Sequence, residues 1–210
     1  LGLSFGLFPL LMRYVPSPLP DTGVMFLLIL SEFILGLFFG TVDRILMAAT
    51  DTAGMLISMM SGLGNAQVFN PGAGGQGSLF GAMLSVAGMV LIFATNTHHL
   101  LFMGVIQSYE MFPVGDLPDT GSMSEVISRV VSTSFLVAVQ MAAPFMVISL
   151  MVYIGMGILS RLMPQVQVFL LAIPLQILLS LVTLTLVVST MMFFWLSRFE
   201  DGMLFFFSGG

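Results

Sequence analysis

Residues 130–160 and 162–197 carry no Asp, Glu, Lys or Arg; one charge, Arg161, separates them, with Pro164 close behind. A helix needs only about 20 apolar residues to cross the ~30 Å hydrocarbon core of a bilayer. Runs this long do not suit the half-solvated elements of a soluble domain, and the pair reads as a helical hairpin bending near residues 164–168. Pro144 and Pro174 fall inside it. Each would cost a soluble helix about 3 kcal/mol. Neighbouring helices in a membrane assembly re-satisfy the freed carbonyls, so kinked helices are expected.

A third charge-free run, residues 52–109, has a different middle: residues 62–77 read GLGNAQVFNPGAGGQG. A soluble protein would solvate such a loop with charges. Its neutrality points to backbone packed closely in an uncharged setting, at membrane level or lining a pore. The composition agrees, with 58% hydrophobic and 7% charged residues where a soluble domain has roughly 25% charged. The chain is therefore read as all-α, one integral membrane-type helical domain or a subunit buried in an assembly. All five basic residues are arginine, and the net charge of −5 argues against nucleic-acid binding. Without cysteine there is neither a disulfide framework nor a thiolate metal site. The chain begins at Leu1, inside an apolar run, which reads as a fragment lacking an upstream hydrophobic segment; no cleavable signal peptide is evident.

Further blocks follow from caps and breakers. Residues 1–12 look like the end of a helix, closed by Arg13 and by Pro16, Pro18 and Pro20. Asp21 and Thr22 offer an N-cap for a block running from Val24 to about Ser61, far longer than a bilayer requires. Residues 79–97 form an apolar run, interrupted by His98 and His99 and extended by residues 100–112. Residues 113–125 are the most hydrophilic connection, and residues 199–210 form a tail. Arginines at many block ends leave the positive-inside rule without an answer.

Several residues invite a chemical reading. Glu32 lies in an apolar helix and should be paired or face water. Arg44, twelve residues on, is about 18 Å away along the helix and too far to pair with it. An intersubunit partner for Glu32 stands beside protonated burial or a polar groove. Asp43, Arg44 and Asp51 read as a solvated face. His98 and His99 point about 100° apart on a helix, with no carboxylate set to complete a metal shell, and read as structural or interfacial. The nineteen methionines fall in runs, including Met55, Met59 and Met60, which fill irregular helix interfaces or form a deformable seal. No Lys-Ser/Thr follows the glycines, so the loop is no phosphate-binding P-loop, and no catalytic, cofactor or metal site can be defended.

Taken in order, residues 32–40 (EFILGLFFG), 54–64 (GMLISMMSGLG), Phe69-Asn70-Pro71, residues 96–100 (NTHHL) and 112–115 (FPVG) resemble the FliR family, the R-type subunit of the flagellar type III export gate. The resemblance covers nearly the whole chain. The final hairpin resembles the Q-type gate subunit through Ala142-Ala143-Pro144, residues 155–157, Pro164-Gln165-Val166-Gln167 and Pro174. Residues 1–124 then form a P-like part containing the loop, residues 125–198 a Q-like hairpin, and residues 199–210 the tail.

The resemblance implies a non-enzymatic subunit, built from long kinked hairpins, of a helical hetero-oligomeric gate in the bacterial inner membrane at the base of the flagellar basal body. Implied partners are P-type and Q-type subunits (FliP and FliQ families), the FlhB-family switch protein and unfolded flagellar substrates; no cofactor is implied. The family's plug carries over to Val68, Phe69, Asn70, Pro71, Gly72, Ala73, Gly74, Gly75, Gln76 and Gly77. The loop departs from the family in its extra glycine and in Asn70, where Asp is frequent. Glu32, Arg44, Gln165 and Gln167 are candidate intersubunit contacts, and Met55, Met59 and Met60 a candidate methionine seal. An injectisome subunit of the same fold and, more distantly, a secondary transporter using Glu32 and His98 are the alternatives.

Overall fold

The computed structural model describes residues 6, 8, 9, 11, 12, 21–64, 78–111, 120–162 and 168–207. Among the described residues five long helices follow in order: α1 Thr22–Met60, α2 Leu79–Ala94, α3 His98–Met111, α4 Thr120–Leu162 and α5 Val168–Phe207. No strand occurs among the described residues. Among the described residues three helical segments are long and apolar enough to cross a membrane, Thr22–Met60, Gly121–Leu162 and Ala172–Leu204, and α2 with α3 forms a bent pair that could serve as a fourth span.

Helix α1 has 39 residues, about 58 Å at 1.5 Å per residue, nearly twice the hydrocarbon thickness. Its buried residues include 31, 35, 38, 42, 46, 49, 53 and 57, with Thr50, Gly54 and Ser58 widening the stripe over the second half. Steps of three and four hold one seam against the neighbouring helices along the whole element. Phe26, Phe33 and Leu37 on other faces are apolar and exposed. Such an all-round apolar helix is suited to lipid or to partner subunits and not to water.

The break between α2 and α3 comes at Asn96, which takes a φ of 60°. Asn tolerates this left-handed conformation because its short polar side chain carries little steric penalty there. Asn96 N–H donates to the Phe93 carbonyl at 3.3 Å, and the Asn96 carbonyl accepts from His99 N–H at 3.0 Å, so the turn satisfies its own backbone. Helices α4 and α5 run through Pro144 and Pro174 without interruption.

Two expectations about boundaries change. Residues 120–125, assigned to the hydrophilic connection, form the start of α4. Ser124 donates to the Gly121 carbonyl at 2.8 Å, and Glu125 pairs with Arg129 one turn on at 3.6 Å. Local polar bonds of this kind let a hydrophilic segment start a helix. The final helix also continues to Phe207 through residues set apart as a tail, because Phe199 and Met203 are buried.

Contacts divide the chain into two units that alternate along the sequence. The first comprises Leu1–Leu46, Ile92–Ser132 and Phe199–Gly210. Its described core includes Leu35, Phe38, Val42, Leu46, Ile92 and Phe199. Gly202 lies so close to Leu46 that a Cβ there would sit 3.0 Å from the leucine side chain. Thr97, 4% exposed, donates to Glu200 at 2.8 Å.

The second unit comprises Met47–Leu91 and Thr133–Arg198. Ile57, Leu84, Met141, Phe145 and Trp195 fill it. Gly88 faces the Trp195 ring, where a Cβ would stand 3.0 Å from the indole. A small residue opposite the largest side chain of the core keeps the packing dense without overfilling it.

Candidate functional site: the two roots of the glycine-rich loop

The plug residues expected from the sequence, Val68, Phe69, Asn70, Pro71, Gly72, Ala73, Gly74, Gly75, Gln76 and Gly77, lie outside the described residues. The structure describes the points where their loop leaves and rejoins the helices. Both lie in the second unit.

At the departing root, α1 ends at Met60 with a left-handed cap. Ser61 N–H donates to the Ile57 carbonyl at 2.8 Å, Gly62 N–H to Met59 at 3.4 Å, and Gly62 takes a φ of 79°. Glycine enters this conformation without the steric penalty a side chain would bring. The Ser61 hydroxyl, fully buried, bonds back to the Ser58 carbonyl at 3.0 Å. Gln176 of α5 completes the cap. It is 4% exposed, and its Nε2 donates to the Met60 carbonyl and, at 3.1 Å, to the Ser149 hydroxyl of α4. Its Oε1 faces the Gly62 α-carbon, where a Cβ would lie 3.6 Å away. One amide thereby ties the end of α1 to both long helices of the unit.

At the returning root, Ser78 caps α2. Its hydroxyl accepts from Gly81 N–H at 2.8 Å and its carbonyl from Ala82 N–H at 3.0 Å, satisfying donors that a helix start leaves unpaired. Helices α1 and α2 meet here glycine to glycine. A Cβ on Gly54 would run into the backbone of Phe80 and Gly81, and one on Gly81 would stand 3.2 Å from the Asp51 carbonyl. The contact at Gly54 is six residues, about 9 Å, before the end of α1. Asp51 beside this junction accepts a bond from Ser85, which also pairs with Thr50 at 3.0 Å.

The remaining candidates are dispersed. Met55 and Met59 share an exposed face of α1 one turn apart, at 49% and 59% exposure, and Met60 is half-buried beside them. Gln165 and Gln167 lie outside the described residues. Glu32 finds a partner within its own unit, since Tyr109 donates its phenol hydrogen to Oε2 at 2.8 Å. Arg44 is exposed, as a solvated face predicts, but Asp43 beside it is half-buried, and its Oδ1 is shut from solvent with no partner among the described residues. That corrects the solvated assignment of Asp43. It follows Glu32 by eleven residues, which is within about 20° of the same helix face.

The His98 and His99 rings lie 4.3 Å apart between centroids, tilted by 39°; His98 also lies 5.2 Å from Phe93, and His99 Nδ1 lies 3.0 Å from the Asn96 carbonyl oxygen. Among the described residues no group of three His, Cys, Asp or Glu is placed to hold a metal ion.

Sequence reasoning missed Gln176, Ser78, Gly54, Gly81 and Tyr109. Gln176 carried a usable signal: it is the only amide side chain in α5, within an otherwise apolar stretch where a polar group needs a partner.

The model of the family described as bacterial export proteins, family 1, matches residues 1–202. The chain belongs to that family. Flagellar biosynthetic protein FliR of Caulobacter vibrioides is 34% identical to it over 206 residues, spanning 95% of this chain and 82% of the relative. Flagellar biosynthetic protein FliR of Bacillus subtilis is 30% identical, over 78% of this chain and 64% of the relative. Yop proteins translocation protein T of Yersinia pestis is also 30% identical, over 74% of this chain and 60% of the relative. The FliR resemblance read from the motifs is thus borne out. Family membership gives the loop roots their context, a bacterial export protein with long apolar helices.

Proposed function

We propose that the chain is the R-type subunit of a flagellar type III export gate, a non-enzymatic wall component through which unfolded flagellar proteins pass. Residues 68–77 plug the pore, and Met55, Met59 and Met60 form a deformable rim beside it. The observation that carries this reading is the anchoring of both ends of an uncharged segment in one unit, by the Gln176 cap and by the Ser78 and Gly54–Gly81 junction. A plug needs fixed roots and a neutral span. Fixed roots keep it registered with the lumen, and neutrality avoids the desolvation cost of a charge in a narrow passage.

The partners in this reading are P-type and Q-type subunits and the FlhB-family switch protein, in the inner membrane at the base of the basal body. Residues 1–124 act as the P-like part and 125–198 as the Q-like hairpin. Exposed apolar residues on several faces of α1, α4 and α5 supply the surfaces these partners would cover. The Caulobacter vibrioides FliR aligns over 82% of its length, against 60% for the Yersinia translocation protein T, which favours the flagellar system over the injectisome.

Co-expression tests the reading. The protein is expressed with and without its P-type and Q-type subunits and recovered from detergent-solubilised membranes. A monodisperse complex containing all three is expected. A stable single-chain species that ignores the other two would contradict it.

A further inference from the structure

Within the first unit, a cavity of about 340 Å³ opens between the first half of α1 and α3. Its floor is a single face of α1: Glu32, Gly36, Gly40 and Asp43 occur at steps of four, four and three. Neither glycine has anything within 4 Å of where a Cβ would stand, so the backbone lies open along the groove. Across it stand Val105 and Tyr109 of α3. The lining contains two acidic residues and no Lys or Arg, and the nearest charge in sequence, Arg44, is exposed and outside the lining.

The two carboxylates differ. Glu32 already receives the Tyr109 hydroxyl, whereas the buried Oδ1 of Asp43 has no donor among the described residues. A carboxylate oxygen shut from water without a donor is costly, most of all in a chain of apolar, membrane-type helices. A close-packed glycine step is the usual means by which a second helix approaches backbone to backbone.

We propose that this groove receives a helix of a neighbouring gate subunit, lying over Gly36 and Gly40 and placing a Lys or Arg side chain against Asp43. Charge complementarity selects this occupant. The open glycine backbone accommodates the helix, the Asp43 carboxyl group lining the groove takes the cation, and Glu32, held by Tyr109, adds a second carboxyl group about 16 Å along α1. The proposal rests on the gate-subunit reading and adds to it a place and a chemistry for one contact.

The chain has no cysteine, so Val105→Cys, at the rim of the groove, supplies a unique thiol. Membrane vesicles containing the protein alone, or with its P-type and Q-type subunits, are treated with cationic and anionic methanethiosulfonate reagents. In the protein alone the cationic reagent should react about tenfold faster, as an acidic cleft concentrates cations, and Asp43→Asn should reduce that preference. In the co-purifying complex both reagents should be excluded, and adding Asp43→Arg should restore labelling or abolish the complex.

A thiol that stays reactive in an intact complex overturns the proposal and leaves the gate reading standing. So does a complex that forms normally and protects the thiol with Asp43→Arg in place. Protection in the protein alone also overturns it, because the chain would then fill its own groove. Failure of the wild-type subunits to co-purify overturns the gate reading and the proposal together.

Discussion

Replacing Gln176 by Leu keeps the side chain's approximate volume and removes the amide that caps the departing root. Two hydrogen bonds are lost, to the Met60 carbonyl and to Ser149, at a site where Gln176 is 4% exposed. Net values near 0.6 kcal/mol are typical between membrane helices, and buried bonds elsewhere are worth about 1 kcal/mol, so the pair contributes about 1–2 kcal/mol. The loss falls on the last turn of α1, where Ser61 and Gly62 N–H groups close the cap. If the root opens as a local unit, its opened population rises about 5–30-fold. Hydrogen–deuterium exchange of a peptide spanning residues 57–64, in the assembled complex, reads this directly. Ser149→Ala, which removes one of the two bonds, should give a smaller increase. Exchange within about twofold of wild type for Gln176→Leu would refute the claim that this amide holds the root.

Gly54→Ala places a methyl group against the backbone of Phe80 and Gly81; thermal unfolding of the complex should show a loss of about 1–3 kcal/mol, the usual cost of overpacking. Ser78→Ala removes the hydroxyl that accepts from Gly81 N–H and should cost about 1 kcal/mol, with faster exchange confined to the first turn of α2. Tyr109→Phe deletes the donor to Glu32 and should destabilise the first unit by about 1–2 kcal/mol, while Glu32→Gln in the same background should cost little more, because the two changes break one shared bond.

Long elements were legible from the sequence because their signal was redundant. The proline cluster at residues 16–20 and the apolar block beginning at Val24 marked α1, and its observed bounds Thr22–Met60 differ by a residue or two. The break near His98 was equally clear, although its cause lies at Asn96, whose positive φ no periodicity reveals. Boundaries failed where local and tertiary effects compete: residues 120–125 are polar yet helical, and Phe199 and Met203 prolong α5 because they find a core.

The candidate site residues divide in a similar way. The neutral loop stands out by composition alone, but Gln176, Gly54 and Gly81 hold its roots through pairings 26 to 116 positions apart. Gln176 reaches Met60 across most of the chain. Gly54 and Gly81 are two glycines among 22, singled out only by meeting each other. Asp43 and Glu32 lie on one face by simple arithmetic, yet only the α3 helix opposite turns that face into a groove.

Ion leakage through the assembled gate tests the central claim most directly. Complexes with and without residues 68–77 are reconstituted into planar bilayers, after gel filtration has established that both assemble alike. The account predicts a closed wild-type complex and a marked, persistent conductance once the loop is removed. An intact deletion complex that stays as closed as the wild type would contradict it.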